Sequence, residues 1–176
     1  FIYYSLSDVI RDEATKRGLD HSRDNLIKLG NELRQKNGPH YLAEQINNKI
    51  KQQNILVEKD LQTLPQIKCD SGKLNQVFIN VIDNALDAMN DDGILKINSF
   101  LKGQNVLIEI IDNGKGMDDM TLKRIFDPFF TTKEIGEGTG LGMAISYGII
   151  QDQGGTINVE SELEKGTKVQ ISLPLS

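Results

Sequence analysis

Gly138-Thr139-Gly140-Leu141-Gly142 runs directly into the apolar segment Met143-Ala144-Ile145-Ser146. Glycines at alternate positions leave backbone N–H groups unobstructed at the start of a predicted helix. There the exposed donors and the positive end of the helix dipole favour an anion. The chemistry such a turn could do is to cradle phosphate, although taken alone it reads equally as a flexible loop with no ligand. Neither widespread phosphate loop is present. No G-x-x-x-x-G-K-[ST] occurs, and the dinucleotide pattern fails because Met143 stands where a third glycine is required. Thr131 to Glu137, which precede the turn, form a polar loop rather than a buried strand, so the phosphate site belongs to another architecture.

Asp112-Asn113-Gly114-Lys115-Gly116-Met117 follows the β-branched, mostly apolar run Val106 to Ile111, which places Asp112 at a strand end. An Asx turn is one reading, since Asp-Asn-Gly is a strong turn former. The other is that the Asp112 carboxylate accepts from the exocyclic amine of a base while Gly114 and Gly116 let a flat ring approach the backbone. A carboxylate there would choose adenine over guanine, which presents a carbonyl at the equivalent place.

Leu74, Val77, Phe78, Val81, Ile82, Ala85 and Met89 fall on one stripe at helical spacing, so the segment from Ser71 to Met89 is an amphipathic helix on a core. Asn80, Asn84 and Asp87 recur at i, i+4 and i+7 on a face beside that stripe. Asn is a poor helix former, and surface Glu or Lys would favour the helix more. A side-chain oxygen at this border could complete the octahedral shell of a phosphate-bound Mg²⁺. An ordinary polar flank would give the same pattern.

The elements that must position these groups alternate. Strands are expected at Ile55 to Glu58, Gly93 to Phe100, Val106 to Ile111, Thr156 to Ser161 and Lys168 to Leu173. Helices are expected at Ser71 to Met89, Asp119 to Ile125 and Gly142 to Gln153. Asp91-Asp92-Gly93 is a turn after the first of these helices, and Gly154-Gly155 stops the last. The fold class is α/β, a two-layer sandwich in which helices cover one face of a mixed sheet, preceded by a short helical segment. The stretch from Met117 to Glu137 holds Phe126, Phe129 and Phe130, half of the chain's six phenylalanines. Lys133 within it reads equally as a phosphate contact and as a solvated charge.

At 176 residues the chain can bury one proper core. A net charge of −5 argues against a nucleic-acid partner, because phosphate backbones are bound by basic faces. The single cysteine, Cys69, permits no internal disulfide and suits a reducing cytoplasm. No apolar run approaches the length of a membrane span, and cytoplasmic residence is expected.

Asn80 to Met89, Asp112 to Gly116, Phe126 to Phe130 and Gly138 to Gly142 resemble, in order and spacing, the N, G1, F and G2 boxes of the ATP-binding domain of sensor histidine kinases. The wording is similar to the nitrogen-regulation and sporulation type of this ATPase superfamily. Lys165 to Pro174 looks like the family's closing Gly-Thr and final strand. The resemblance covers residues 47 to 174 and implies a catalytic domain over 47–176. It implies that ATP is held by Asn80, Asn84, Asp87, Asp112, Gly114, Gly116, Met117, Phe126, Thr132, Lys133, Gly138, Thr139, Gly140, Leu141, Gly142 and Thr167. Asn80, Asn84 and Lys133 would act catalytically and Asn84 would hold Mg²⁺. The loop with the phenylalanines would be a lid closing over ATP. The γ-phosphoryl would pass to a histidine on a dimerisation helix of a homodimer, and from there to a response-regulator aspartate. The hydrolytic branches of the superfamily place a Glu, acting as base on water, where this chain has Asn80. An amide cannot take up a proton, which argues for transfer to an imidazole. A nucleotide-binding regulatory fragment without activity is the other alternative.

Residues 1–46 fit less well. Ser7 to Arg17 and Ser22 to Lys36 read as helices, separated by Gly18-Leu19-Asp20. His21 and His40 both lack the acidic and proline neighbours of an acceptor histidine. Ser7 to Ala14, Arg17 to Leu19 and Asn31 to Arg34 faintly resemble a helical region of adenylate-kinase-like proteins, without their phosphate loop. A divergent dimerisation hairpin or a fused foreign piece are the alternatives.

Overall fold

The computed structural model describes residues 14–20, 22, 25, 43–89, 91–133 and 138–175. A helical stretch over 43–52 leads into strand β1 (Leu56–Leu61), helix α1 (Ser71–Ala88), strands β2 (Ile94–Lys102) and β3 (Asn105–Asp112), helices α2 (Asp119–Arg124) and α3 (Gly142–Asp152), and strands β4 (Thr156–Glu162) and β5 (Gly166–Pro174). The sheet order is β1-β2-β3-β5-β4, with β1 parallel to β2 and every other pair antiparallel. Helices α1 and α3 pack on each other and on one sheet face, as the alternation of apolar residues requires. Of the expected upstream helices, residues 14–16 and Asn25 are helical. The remainder, with His21 and His40, lies outside the described residues.

Strand parity explains the layers. Ile97, Ile110, Val169 and Val159 stand opposite one another across four strands on the helix-covered face. The next residue of each strand points the other way, onto a face where polar pairs stand beside the apolar Ile111, Leu107 and Phe100. Lys96 meets Glu58 at 3.0 Å, and the Gln170 amide donates to Glu109 at 2.9 Å. One face is therefore core and the other carries cross-strand polar pairs.

Asp70 starts α1 by accepting the Lys73 N–H at 3.0 Å, a cap of a kind that contributes about 1 kcal/mol. Leu74, Val77, Val81, Ala85 and Met89 are buried as the stripe requires, while Phe78 and Ile82 are only partly covered. Leu86, outside the stripe, is fully buried, because α1 is wedged between the sheet and α3 and covers a wider arc than a one-sided helix. The turn after α1 places Asp92 at φ 64, and Gly154 (φ 71) ends α3 with the Gly155 N–H donating back to the Ile150 carbonyl at 2.9 Å. Strand β1 runs further than expected. Lys59, Asp60 and Leu61 carry no alternation, but parallel pairing with Ile97, Asn98 and Ser99 extends it. The helical stretch 43–52 crosses the expected boundary at residue 47, and Ile46 and Ile50 pack against the core.

Candidate functional site

One wall of the site is the end of β3. The Asp112 side chain is buried, and its Oδ1 accepts the Gly114 N–H at 2.9 Å, so the Asx turn forms. Burial pushes the Asp112 carboxyl above its ordinary range, and the Gly114 and Thr167 N–H groups pull part of it back. The glycines around it admit backbone. A Cβ on Gly114 would lie 2.4 Å from the Ala88 carbonyl, one on Gly116 2.0 Å from that of Glu162, and one on Gly166 2.0 Å from that of Asp112. Gly116 and Gly166 also hold positive φ, which a side chain resists. Three segments thus meet here closely. Ser161 fastens them: its Oγ accepts the Met117 N–H at 2.9 Å, donates to the Gly166 carbonyl at 3.0 Å and lies 2.9 Å from the Thr167 hydroxyl.

The opposite wall is the junction of α1 and α3. Asn80 is buried, and its Nδ2 donates to the Gly142 carbonyl at 3.1 Å and to Ser146 Oγ at 3.2 Å, while Ser146 donates to the same carbonyl at 2.8 Å. This locks the amide-bearing helix to the first turn of α3. That turn has no side-chain cap, which leaves a helix N-terminus with its dipole and donors available to an anion. Gly142 is open on this side, its nearest neighbour being the Asn80 side chain at 3.7 Å. Gly138 and Gly140 serve differently. A Cβ on Gly138 would meet Thr131 Oγ1 at 2.5 Å, and one on Gly140 (φ 62) would meet the Phe129 backbone at 2.4 Å. Their smallness lets the segment of Phe129 and Thr131 lie against the turn. Thr139 Oγ1 stands 3.4 Å from the Leu141 N–H. The Asn84 amide, one turn beyond Asn80, has no hydrogen-bond partner among the described residues and is only partly covered.

Helix α1 also carries a charge cluster. Lys49, from the helical stretch 43–52, bonds Asp83 at 3.0 Å and also Asp87, whose other oxygen takes the Lys133 amine. Burial works against each ion. Asp83 and Asp87 nevertheless hold the Lys49 pKa above its usual value, and Lys49 and Lys133 together hold Asp87 below the usual carboxylate range. Asp83, served mainly by Lys49, is pushed up by its burial. Lys133 therefore stands on Asp87 rather than free in solvent.

The segment that carries Phe126, Phe129 and Phe130 is pinned by aromatic contacts. Phe126 packs in a tilted arrangement on Tyr147 of α3, with 5.1 Å between ring centroids, and the Arg124 guanidinium lies 4.3 Å over Phe130. Phe129 adopts φ 72, and its N–H donates to the Gly140 carbonyl at 2.7 Å. Thr132 is exposed beside Lys133.

The structure thus brings Asn80, Asn84, Asp87, Lys133 and Gly142 to the helix side, and Asp112, Gly114, Gly116, Met117 and Thr167 to the sheet end. Lys49, Asp83, Ser146, Tyr147 and Ser161 were not foreseen. Ser161 was recoverable, since it shares the parity of Ile157 and Val159, and Asp83 sits four residues before Asp87. Lys49 carries no local signal, because its partners lie 34 and 38 positions away.

Residues 69–176 match the family model described as histidine kinase-, DNA gyrase B-, and HSP90-like ATPase. Sporulation kinase E of Bacillus subtilis (strain 168) is 44% identical over 124 residues, covering 69% of this chain and 16% of that protein. Sensor histidine kinase ZraS of Escherichia coli (strain K12) is 35% identical over 168 residues, covering 87% and 36%. The chain thus spans well under half the length of these relatives. Among solved structures, the nucleotide-free catalytic domain of histidine kinase ThkA superposes with a TM-score of 0.66 at 30% identity, over 77% of this chain and 89% of that one. ThkA in complex with the response regulator protein TrrA gives a TM-score of 0.62 at 27% identity, over 78% and 40%. With the box order, the one-sided sandwich and the uncapped turn of α3 in place, the chain belongs to the histidine kinase-, DNA gyrase B- and HSP90-like ATPase family, as an ATP-binding catalytic domain of the histidine kinase type.

Proposed function

We propose that this domain binds ATP with the adenine at the Asp112–Thr167 end of the sheet and the polyphosphate at the first turn of α3, and passes the γ-phosphoryl to a histidine on a dimerisation helix. The acceptor would relay it to a response-regulator aspartate, a reading supported by the likeness to ThkA, which has been seen with such a partner. The full-length protein would be a homodimer working in the cytoplasm, with its catalytic domain at 47–176.

The observation that favours transfer over hydrolysis is the state of Asn80. Its amide is committed to the Gly142 carbonyl and Ser146, and it has no basic site with which to deprotonate water. An imidazole acceptor needs no such base. Positioning and charge neutralisation then supply most of the rate. Lys133 is a cation on the proposed lid that could leave Asp87 for the terminal phosphate, and Thr132, Phe126 and Leu141 would add to the nucleotide's surroundings.

A Mg²⁺ ion fits the donor set. Asn84 offers a hard oxygen unengaged by the described residues, and among those residues no group of three or more His, Cys, Asp or Glu side chains could hold a metal unaided. Asn84 would supply one oxygen and the phosphates others, and the ion would neutralise charge on the transferring group. Calorimetric titration tests the reading: ATP binds in the presence of Mg²⁺ and GTP binds poorly. Equal affinity for the two nucleotides would remove Asp112 from the base site.

A further inference from the structure

The last row of side chains on the helix-covered face, taken across β2, β3, β5 and β4, is Leu95, Asp112, Thr167 and Ser161. The row before it is apolar throughout, so three adjacent polar side chains are gathered at the sheet end. Ser161 is the member that no motif covers. Its hydroxyl touches three groups: the Met117 N–H at 2.9 Å, the Gly166 carbonyl at 3.0 Å and Thr167 Oγ1 at 2.9 Å. A serine hydroxyl carries one proton, and a carbonyl can only accept. The Ser161 proton is therefore committed to Gly166, and Thr167 must be the donor in the contact between the two hydroxyls. Thr167 Oγ1 is left with lone pairs and no proton to offer. Its neighbour across β3 and β5, the Asp112 carboxylate, is likewise acceptor-only when ionised.

We propose that Ser161 is a positioning and specificity residue for base recognition. By taking up the Thr167 proton it makes Asp112 and Thr167 a paired acceptor surface, which favours an exocyclic amine and disfavours a carbonyl at the same place. The inference rests on the ATP reading given above. Ser161 also fixes where this surface stands, since it joins the Met117 backbone to the Gly166 turn, and neither Gly116 nor Gly166 leaves room for a larger residue to take over that task.

The test uses the whole chain, with ATP, GTP and purine riboside triphosphate, which lacks the 6-amino group, titrated calorimetrically with Mg²⁺. In Ser161→Ala the freed Thr167 proton can face the base, so ATP affinity should fall about tenfold while the des-amino triphosphate changes less than about twofold. Ser161→Thr, which keeps the hydroxyl, should restore the preference. Equal losses for both triphosphates would mean a purely structural role and overturn the proposal, as would unchanged ATP affinity in the Ala variant or failure of the Thr variant to recover it. Wild-type chain that binds ATP and GTP alike would instead overturn the underlying ATP reading, whatever Ser161 does.

Discussion

Burial disfavours the ionised Asp112 carboxylate, which the proposed base recognition would use. Burial raises its pKa, so the folded chain binds the proton more tightly than the unfolded chain does. Between the ordinary value of 3.8 and the raised folded value the native state carries more protons, and stability falls as pH rises through that window. At neutral pH the full penalty is present. Asp112→Asn removes the buried charge and keeps an acceptor for the Gly114 N–H. It should raise the melting temperature, by about 2–4 °C for each kcal/mol regained, while weakening ATP binding about tenfold or more through the lost charge-assisted acceptor. Calorimetric melting and titration of the same preparation check both signs, and a variant that melts lower would refute the stored penalty. ATP affinity of the wild type should likewise decline on acidification with a midpoint above 3.8, as the carboxylate is protonated. Asn84 differs, being only partly covered and without a partner among the described residues. Asn84→Ala should change stability by less than about 0.5 kcal/mol yet abolish Mg²⁺-dependent phosphoryl transfer to an added acceptor helix. Normal transfer with unchanged Mg²⁺ dependence would take Asn84 out of the site.

Between elements, the junction that matters most is the one Lys49 makes from the stretch 43–52 to α1. Its amine stands between Asp83 and Asp87, all three side chains being largely covered. Lys49→Met leaves Asp83 without its main cation and Asp87 with Lys133 alone, which should cost about 3 kcal/mol. Adding Asp83→Asn should recover part of that loss, because the orphaned carboxylate is gone. Urea melts of the wild type and both variants measure this, and an unchanged midpoint for Lys49→Met would show the pair to be solvated and unimportant. The same junction shows where sequence reading stops. Strands, helices and the turn at Asp92 were legible because alternation, 3.6-residue periodicity and turn chemistry are local patterns. The four boxes were legible because each is a contiguous run of residues. The partner of Lys133, the roles of Gly138 and Gly140 in seating the lid, and the reach of Lys49 depend on contacts between distant segments, and nothing in a neighbouring residue announces them. Asn80 lies between these cases: its helical position was plain, but only the approach of α3 shows that its amide nitrogen is spent on Gly142 and Ser146.

At the scale of the whole molecule, the proposed transfer requires an acceptor histidine brought to the sheet and the α1–α3 layer from outside the family-matched residues 69–176, which contain no histidine. Both histidines of the chain, His21 and His40, precede that region. His21 is followed by Ser22-Arg23-Asp24 and His40 by Tyr41-Leu42-Ala43, so neither has the acidic neighbour and following proline that the family's acceptor helices carry. Phosphoryl transfer depends on in-line placement of the nucleophile, and a misplacement of about 1 Å costs roughly 100-fold in rate. Incubation with γ-labelled ATP and Mg²⁺ should therefore leave no acid-labile phosphate on this chain. A separate dimerisation helix bearing an acceptor histidine should become labelled when added, and that label should disappear with Asn84→Ala in the chain. If the chain alone gains label that His21→Gln eliminates, residues 1–46 are a functional acceptor hairpin and the division of labour argued here is wrong. If neither the chain nor the added helix is labelled while ATP still binds, the domain is a nucleotide sensor rather than a transferase.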